Sequence, residues 1–271
     1  MKTLEKASFA GLDRVKITRT PTGRPTFFLD DKKVSMASIS KILGVLDKPA
    51  LLPWGAGCAA QYAKDLLLEL KKQGGELTEE FIERVYFESK TAYNKVSKEG
   101  KDLGTEAHEL VGRVLMGETV KASEKAQQVL DSVKMWMAET KTKLVYADGK
   151  PLLEVGLVNT EEQYICIADA VLEDKDGPFM AEFKTSKNKA YPEAAWQGAA
   201  CLEAWNRLVS GYSLERVKVL WFDKLEPQFQ TYDVANPDLC YRGFVKILRA
   251  YQENAVKDNL LIEGKRYGLS L

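Results

Sequence analysis

Two apolar segments joined by one short charged turn constrain the fold more than any other feature of this sequence. The segments are Tyr164–Leu172 and Phe179–Thr185, and between them lies Glu173–Gly177, which is acidic and ends in glycine. Such residues favour a reversal of the chain, because they tolerate the backbone angles that a tight turn requires. The pattern predicts a β-hairpin, with Leu152–Val158 as a further strand before it.

Helical periodicity dominates the sequence before these strands, and helix and strand patterns alternate after them. Apolar residues recur at three- and four-residue spacing, which is typical of a helix with one buried face. Gly100 and Gly104 bracket a short connection that we expect between two of the helices. The expected elements are a hairpin at 15–29, helices at 38–70 with a break near 49–53, at 78–97, at 105–115, at 123–140 and at 192–208, strands at 217–222 and 229–234, and a helix at 236–257.

This order of elements predicts an α/β fold in which helices flank a mixed central sheet, preceded by a helical N-terminal part. No convincing linker divides the chain, so we expect one domain over residues 1–271. Its N-terminal hairpin and helical part occupies residues 1–100, and the core with the sheet occupies residues 101–271.

Composition and charge exclude several classes of protein. Hydrophobic residues make up 45% of the 271 residues, too many for a disordered chain. The 39 basic and 39 acidic side chains give a formal net charge of +0, whereas a protein that coats nucleic acid non-specifically is globally basic. No apolar run approaches the roughly 20 residues that span a bilayer. Residues 1–17 lack the apolar core of a secretory signal, so we expect a cytoplasmic protein with no membrane partner.

Cysteine and histidine usage narrows the range of metal sites and catalytic triads. Cys58, Cys166, Cys201 and Cys240 are too far apart for a CxxC metal knuckle, and their low density suits reduced thiols. The single histidine is His108, so any histidine-based zinc site or Ser-His-Asp triad requires that residue.

Three charged side chains fall on the predicted strands rather than in the turn between them. Period-2 alternation places Asp169 on one face with Ile165, Ile167 and Val171. Glu182 and Lys184 are two residues apart, so both leave the same face of the next strand. Two carboxylates are hard oxygen ligands of the kind that Mg²⁺ or Mn²⁺ prefers, and a lysine can orient a metal-bound water. The alternatives are an Asp169 that is exposed on an edge strand or paired with a lysine, and an exposed Glu182–Lys184 salt bridge.

His108 and Gln197 are polar residues on faces of predicted helices that otherwise suit packing. His108 lies four residues after Gly104 and four before Gly112, so one helical face carries all three. Gly112 leaves room for another backbone or a ligand beside the imidazole. The carboxamide of Gln197 stands among small residues and has about four hydrogen-bonding sites to satisfy. A half-buried histidine and a glutamine bonded to backbone are the alternatives.

Taken together, these residues resemble a known family of enzymes. The segments GTEAHELVGRVL (104–115), YICIADAVLEDKDGPFMAEFKTS (164–186) and WQGAACLEAW (196–205) are similar to motifs of the PD-(D/E)XK nuclease superfamily. The resemblance is to its RecB-like branch, which includes phage-type exonucleases and the mitochondrial genome-maintenance exonuclease. SISKILGVLDKPALLPW (38–54) resembles the N-terminal helix region of phage members. The resemblance covers roughly residues 36–210 and implies a restriction-endonuclease-like core.

The resemblance also implies a bound divalent metal ion, Mg²⁺ or Mn²⁺. The implied ligands are His108, Asp169, Glu182 and the carbonyl oxygen of Phe183. Lys184 matches the catalytic lysine of the family, and the other implied catalytic residues are Asp169, Glu182 and Gln197. Gln197 is expected near the DNA backbone or the lysine.

The chain departs from the family at one motif position and carries further charges near the motifs. Cys201 stands where relatives often have tyrosine, four residues after the glutamine. Some relatives hold an iron–sulfur cluster on one early and three clustered late cysteines, a grouping that this sequence lacks, so we predict no cluster. Glu106 and Glu154 are candidate outer metal ligands, with solvent exposure as the alternative. Lys187 and Lys189 are candidate phosphate contacts, with a solvated loop as the alternative.

The resemblance therefore implies a metal-dependent deoxyribonuclease, namely an exonuclease that hydrolyses phosphodiester bonds at DNA ends in recombination, repair or phage replication. The implied partners are single- or double-stranded DNA ends, together with a phage recombinase or a single-strand-binding protein. Two alternatives stay open at this point: a non-catalytic DNA-binding or assembly component of a recombination complex, and a structure-specific endonuclease such as a junction resolvase.

Overall fold

Helices and strands account for most of the chain, and the computed structural model describes residues 9–21, 23–46, 48–186 and 189–255. The helices are α1 (Ile39–Leu43), α2 (Leu51–Lys72), α3 (Glu79–Leu115), α4 (Gln127–Thr140), α5 (Glu193–Leu208) and α6 (Pro237–Ala255). The strands are β1 (Val15–Arg19), β2 (Pro25–Leu29), β3 (Lys32–Lys33), β4 (Ala37–Ser38), β5 (Lys143–Leu144), β6 (Tyr146–Ala147), β7 (Lys150–Pro151), β8 (Leu153–Asn159), β9 (Tyr164–Asp174), β10 (Gly177–Lys184), β11 (Val217–Phe222) and β12 (Phe229–Asp233). Of the helices within these described ranges, none has the length and apolar character to cross a lipid bilayer.

A curled, mixed sheet of seven strands lies at the centre. Its main path runs β12-β11-β10-β9-β4, and β5 and β8 also pair with β9. β10 is antiparallel to β9 and parallel to β11, because the crossover through α5 returns the chain to the same end of the sheet. The predicted α/β class with a mixed sheet flanked by helices is confirmed.

The predicted hairpin forms the middle of this sheet as β9 and β10. Its turn is shorter than the expected Glu173–Gly177, because the ladder continues to the Asp174–Gly177 pair. Gly177 has φ +107°, a backbone angle that glycine adopts without a steric penalty. Only Lys175 and Asp176 therefore connect the strands.

Helices cover both faces of the sheet, and each face has its own core. α5 packs on β8, β10 and β11, with α6 and α1 against it. The largest buried side chains of this core include Tyr164, Met180, Trp205 and Phe244. α3 and α4 cover the other core, which includes Val111, Trp136, Phe179 and Phe222. Because both faces are covered, the central strands are apolar nearly throughout, and a charged residue within them is an exception.

α3 is one continuous helix of 37 residues, so the expected connection between Gly100 and Gly104 is wrong. A glycine inside a helix costs about 1 kcal/mol relative to alanine, which does not suffice to end a helix that is packed on other elements. The Thr105 hydroxyl, expected near a helix start, donates instead to the carbonyl of Lys101 at 3.1 Å, one turn earlier. Packing on α2 and on the second core stabilises the helix across both glycines.

The N-terminal part follows the prediction with one addition. β1 and β2 form the expected hairpin, and the expected break near residues 49–53 separates α1 from α2. β4, which no sequence pattern indicated, pairs in parallel with β9 and anchors this part to the central sheet. The predicted end of the last helix at residue 257 lies outside the described residues.

A charge cluster joins the hairpin end of β9 to β11 across β10. Arg216 donates two hydrogen bonds to the Asp174 carboxylate, at 2.9 and 3.1 Å, and Lys218 Nζ lies 2.8 Å from the same group. The Asp174 side chain is only 9% exposed. Burial alone raises the pKa of Asp174, but the hydrogen bonds from the two cations lower it well below its ordinary value. The cluster therefore fixes the order of three strands at this end of the sheet.

We predict that Asp174→Asn lowers the free energy of unfolding by about 2–3 kcal/mol near pH 7, because the buried Lys218 and the partly buried Arg216 lose their charged acceptor. The pKa of Asp174 is lower in the folded state than in the unfolded state, where it is near 3.9. The contribution of Asp174 to stability is therefore present above pH ~4 and is lost as the pH falls further. Urea denaturation at several pH values should show the gap between wild type and variant narrowing below pH ~4. Asp233→Asn is the control: this carboxylate also meets Lys218 but is 68% exposed, and its loss should cost under about 1 kcal/mol. Equal losses in the two variants would contradict the assignment.

Candidate functional site

β9 changes the orientation of its side chains at Asp169. Ile165 and Ile167 pack toward the β1–β2 hairpin. Val171 packs with Met180 in the core under α5. The expected single face for Ile165, Ile167, Asp169 and Val171 is therefore divided at Asp169, because the strand does not keep its period-2 alternation through this residue.

The neighbouring strand β8 is irregular at the same level. Glu154 lies opposite Asp169 between two regular ladder pairs, and its φ is +46°, in the left-handed region. One residue of each strand lies between those two pairs, so the strands keep their register across the irregular position. The Glu154 carboxylate bonds to Arg19 of β1 at 2.7 Å and is exposed. Glu154, a candidate outer metal ligand, thus pairs with Arg19 of the β1–β2 hairpin in this structure.

The β9–β10 ladder ends at the pair Ala170–Ala181, one residue before the charged groups. The next free backbone donor of β10, the N–H of Phe183, donates to the carboxylate of Asp169 at 2.6 Å. A side chain therefore takes the place of a backbone acceptor. The register, extended by one residue, sets Asp169 beside Glu182, on the face that α5 covers.

Glu182 is a charged residue in the core. It is 1% exposed, and Lys184 Nζ donates to its Oε1. The same ammonium lies 3.3 Å from Oε1 of Gln197, which α5 supplies. The predicted shared face of Glu182 and Lys184 is confirmed, and the exposed salt bridge that was the alternative is wrong. Gln197 reaches this group rather than the helix backbone.

His108 completes the cluster from the opposite layer of helices. Its Nδ1 lies 3.3 Å from Oδ1 of Asp169, and its ring meets the ring of Phe183 edge-on at 5.9 Å between centroids. The side chain is 33% exposed, so one edge of the imidazole faces solvent. The structure thus brings together all the side chains predicted for the site: His108, Asp169, Glu182, Lys184 and Gln197.

The pKa values in the cluster reflect charges held close together at low dielectric. Burial, and then the charge of Asp169, raise the pKa of Glu182 to about 7. Burial alone lowers the pKa of Lys184, but Glu182 and Asp169 outweigh it and raise the pKa. Burial likewise lowers the pKa of His108, and the contact with Asp169 reverses the direction. Perturbed groups of this kind, gathered beside a cleft, are typical of functional sites.

The donor atoms of the cluster suit a hard divalent cation. Carboxylate oxygens of Asp169 and Glu182, the carbonyl of Phe183 and the imidazole of His108 are donor types found around Mn²⁺ and Mg²⁺. Over the described residues, however, no three His, Cys, Asp or Glu side chains stand in a ready-made metal cage. Each carboxylate is engaged by a donor of the protein, Lys184 for Glu182 and the Phe183 N–H for Asp169. In this structure the carboxylates are thus paired with donors of the protein. Their oxygen atoms, together with the Phe183 carbonyl and the His108 imidazole, are of the types that fit a hard divalent cation.

A cleft of about 710 Å³ opens beside the cluster. Its floor includes His108, Lys184 and Gln197, which connects the charged groups to solvent. One wall comes from the N-terminal end of α5, and the other from α1 and the segment that leads into α2. The wall residues Ser40, Lys48, Leu51, Thr185 and Tyr191 were not among the predicted site residues. No local pattern distinguishes them, because they meet only through the fold.

The remaining candidates lie outside the cluster or the described residues. Glu106 accepts two hydrogen bonds of 2.8 Å from Ser123, so in this structure it caps the short turn before α4. Lys189 is exposed, and Lys187 lies outside the described residues. Cys201 is buried beside Cys166 in the α5 core, where the hydrogen bond between them, together with burial, raises the pKa of its thiol. Position 201 thus supplies no hydroxyl to the cluster.

α5 approaches the sheet closely, and this close approach sets how near Gln197 lies to β10. At the next residue, Gly198, a Cβ atom would lie 2.5 Å from Cγ1 of Val217 and 3.8 Å from Cβ of Glu182. Only a residue without a side chain allows the helix to lie this near β10 and β11. The short distance lets a glutamine reach the ammonium of Lys184.

Comparison of the sequence with models of known protein families and with curated proteins finds no match in either. The functional interpretation therefore depends on the residues themselves.

We predict that Gly198→Ala lowers the free energy of unfolding by about 1–3 kcal/mol, because the added methyl group overpacks the contact with Val217. Gly57→Ala, in the second turn of α2 where a Cβ meets nothing within 4 Å, is the matched control. It should raise stability by up to about 1 kcal/mol through helix propensity alone. Urea denaturation of both variants checks the prediction, and equal stabilisation of the two would contradict the close approach.

Proposed function

We propose that this chain is a divalent-metal-dependent DNA nuclease with a restriction-endonuclease-like core, a member of the PD-(D/E)XK superfamily. The observation that carries the proposal is the convergence of charged and polar groups from α3, β9, β10 and α5 in one cluster beside a cleft, which His108, Lys184 and Gln197 line. These groups are His108, Asp169, Glu182, Lys184 and Gln197.

The depth of the cluster favours a functional role over a structural one. An ion pair buried with one carboxylate 1% exposed costs desolvation free energy that an apolar pair of similar size does not. Two carboxylates side by side also repel each other, as the raised pKa of Glu182 reflects. A fold that only needed packing at this position would be more stable without them. Binding of a cation by the two carboxylates would account for this cost in desolvation and repulsion.

Asp169, Glu182 and the Phe183 carbonyl are the groups that would hold the metal, with His108 beside them. When bound, a divalent ion polarises a phosphate and lowers the pKa of an attacking water. The backbone N–H of Phe183 keeps the Asp169 carboxylate in position.

Lys184 is the proposed positioning and charge-stabilising group of the chemical step. Its ammonium has three N–H donors, and Glu182 and Gln197 occupy two of them. The third can donate toward the cleft, to an attacking water or to a phosphate oxygen as negative charge develops there. Gln197 accepts from Lys184 and thereby fixes the direction of the remaining donor.

Digestion of end-labelled linear DNA and closed circular DNA tests the proposal directly. We expect hydrolysis of linear DNA with Mg²⁺ or Mn²⁺ and none with EDTA, because the carboxylates act through the cation. The exonuclease form of the proposal, which rests on the resemblance to RecB-like exonucleases, requires closed circles to resist. Cleavage of closed circles indicates an endonuclease instead. Binding of DNA without any hydrolysis in either metal indicates the non-catalytic alternative.

We predict that Lys184→Ala keeps its affinity for Mn²⁺ but cleaves about 10²–10⁴-fold more slowly, the usual size of a lost proton-transfer or charge-stabilising group. Asp169→Asn should lose both Mn²⁺ affinity and cleavage, because the neutral amide still accepts from Phe183 but is a poor ligand. Calorimetric Mn²⁺ titration and single-turnover cleavage on the same preparations separate the two effects. Lys175→Ala, in the turn of the same hairpin, is the control and should match wild type in both measurements. A Lys184→Ala protein with wild-type cleavage would refute the catalytic assignment.

A further inference from the structure

α2 and the segment 79–100 of α3 form a two-helix arm that has almost no buried interior. In the described part of the chain, α3 is the only element that packs extensively on α2, and none of the 22 residues of α2 is buried. In the segment 79–100 of α3, only Ser89 and Ala92 are buried, and both are small. Helices in proteins gain most of their stability by burying an apolar face. The arm of a single copy lacks that contribution.

Large apolar side chains are exposed along the arm instead. Ile82, Tyr86, Tyr93 and Val96 of α3 are between 43% and 55% exposed. Their spacing of four, seven and three residues places them on one face of the helix. Of the large hydrophobic side chains that are exposed in the described part of the chain, more than half lie within residues 51–96. Single exposed apolar residues are normal, whereas a continuous stripe of them marks an interaction surface.

A hollow of about 480 Å³ lies between α2 and α3 beside this stripe. Trp54, Cys58, Ala92 and Val96 form its apolar lining, and Trp54 is 40% exposed. If a second arm lies antiparallel to the first, with the two-fold axis near residue 91, its Tyr86 is level with Val96 of the first. One patch then supplies both the projecting ring and the hollow, as a two-fold interface between identical chains requires.

The charges along α3 favour this antiparallel arrangement. Residues 79–89 include four glutamates and one arginine, whereas residues 90–100 include three lysines and one glutamate. The helix macrodipole does not account for the lysines, because its effect is confined to the terminal turns and α3 continues to Leu115. A parallel second copy would bring like charges together. An antiparallel copy brings the acidic half of one helix to the basic half of the other.

The arm is large enough for a stable interface. The 22 residues of α2 extend over about 33 Å at about 1.5 Å per residue, and two helices of about 10 Å diameter make a face about 20 Å wide. This face covers about 650 Å² in projection, and its accessible surface is larger because side chains project from it. Each partner in a standard protein–protein interface buries about 800 Å².

We propose that the chain forms a two-fold symmetric dimer through this arm. Tyr86 of each copy enters the hollow at Trp54 and Val96 of the other copy, and the acidic half of one α3 faces the basic half of the second. The proposal goes beyond the nuclease function and does not depend on it, because no residue of the charged cluster takes part in the interface.

Sedimentation equilibrium of the full chain tests the dimer at low salt, where charges are weakly screened. We expect a mass of twice 30.4 kDa at concentrations up to about 100 μM, which is above the micromolar dissociation constants of weak interfaces of this size. Tyr86→Ala should weaken the association at least about 10-fold, as expected for a buried interface tyrosine. Tyr146→Ala is the matched control, because Tyr146 is a tyrosine of similar exposure on β6, outside the arm. It should associate as wild type does.

Two charge-reversed variants test the surface and the orientation together. Glu80→Lys/Glu83→Lys makes both halves of the α3 segment basic, and Lys95→Glu/Lys98→Glu makes both halves acidic. Each variant alone should associate at least about 10-fold more weakly than wild type, because like charges then face each other across the interface. An equal mixture of the two should recover a mass of twice 30.4 kDa, because unlike charges face each other again. Circular dichroism checks that each variant keeps its helices.

Several results would overturn the proposal: a wild-type mass other than twice 30.4 kDa, a Tyr86→Ala protein that associates like the Tyr146→Ala control, or charge-reversed variants that associate like wild type or stay apart when mixed. DNA hydrolysis is not measured in these experiments. Their failure therefore leaves the nuclease function intact, and failure of the nuclease assay leaves the dimer intact.

Discussion

The hydrogen bond from the backbone of Phe183 to the carboxylate of Asp169 is the interaction on which the charged cluster depends. Asp169 and Glu182 stand beside each other as like charges, which destabilises a strand pair. The ladder ends one pair earlier, and the carboxylate satisfies the N–H that loses its backbone partner. Lys184 brings compensating charge to Glu182, and His108 lies beside Asp169. The irregular φ of Glu154 on β8 accompanies this break on the other side of β9.

Local patterns in the sequence were sufficient to predict much of this centre. The charged turn between two apolar segments predicted β9 and β10, and the two-residue spacing of Glu182 and Lys184 predicted their common face. The expected helix starts at residues 78 and 236 depend on local contacts in the same way: Thr78 accepts from the N–H of Phe81 at the start of α3, and Asn236 from that of Leu239 at the start of α6. These signals are reliable because each depends on neighbours within a few residues.

Features that depend on distant parts of the chain could not be predicted in the same way. The change of orientation at Asp169 arises from a strand pair that meets only in the folded sheet, and the pairing of β4 with β9 joins segments more than 120 residues apart. Gly100 and Gly104 indicated a break in α3 because glycine propensity is local, whereas the packing that overrides it is not. The two walls of the cleft, with Lys48 on one and Tyr191 on the other, likewise exist only through tertiary structure.

The continuity of α3 gives the molecule a mechanical property. At about 1.5 Å per residue, its 37 residues form a rod of about 55 Å. The rod begins in the antiparallel pair with α2, where the ring of Phe87 is largely exposed, and reaches the Asp169 carboxylate through His108. No hinge loop lies between these two points, so a tilt of the exposed end becomes a displacement of the imidazole, reduced only by bending of the helix. A molecule bound to that end of α3 would therefore act on the position of His108, at one side of the charged cluster, through the helix.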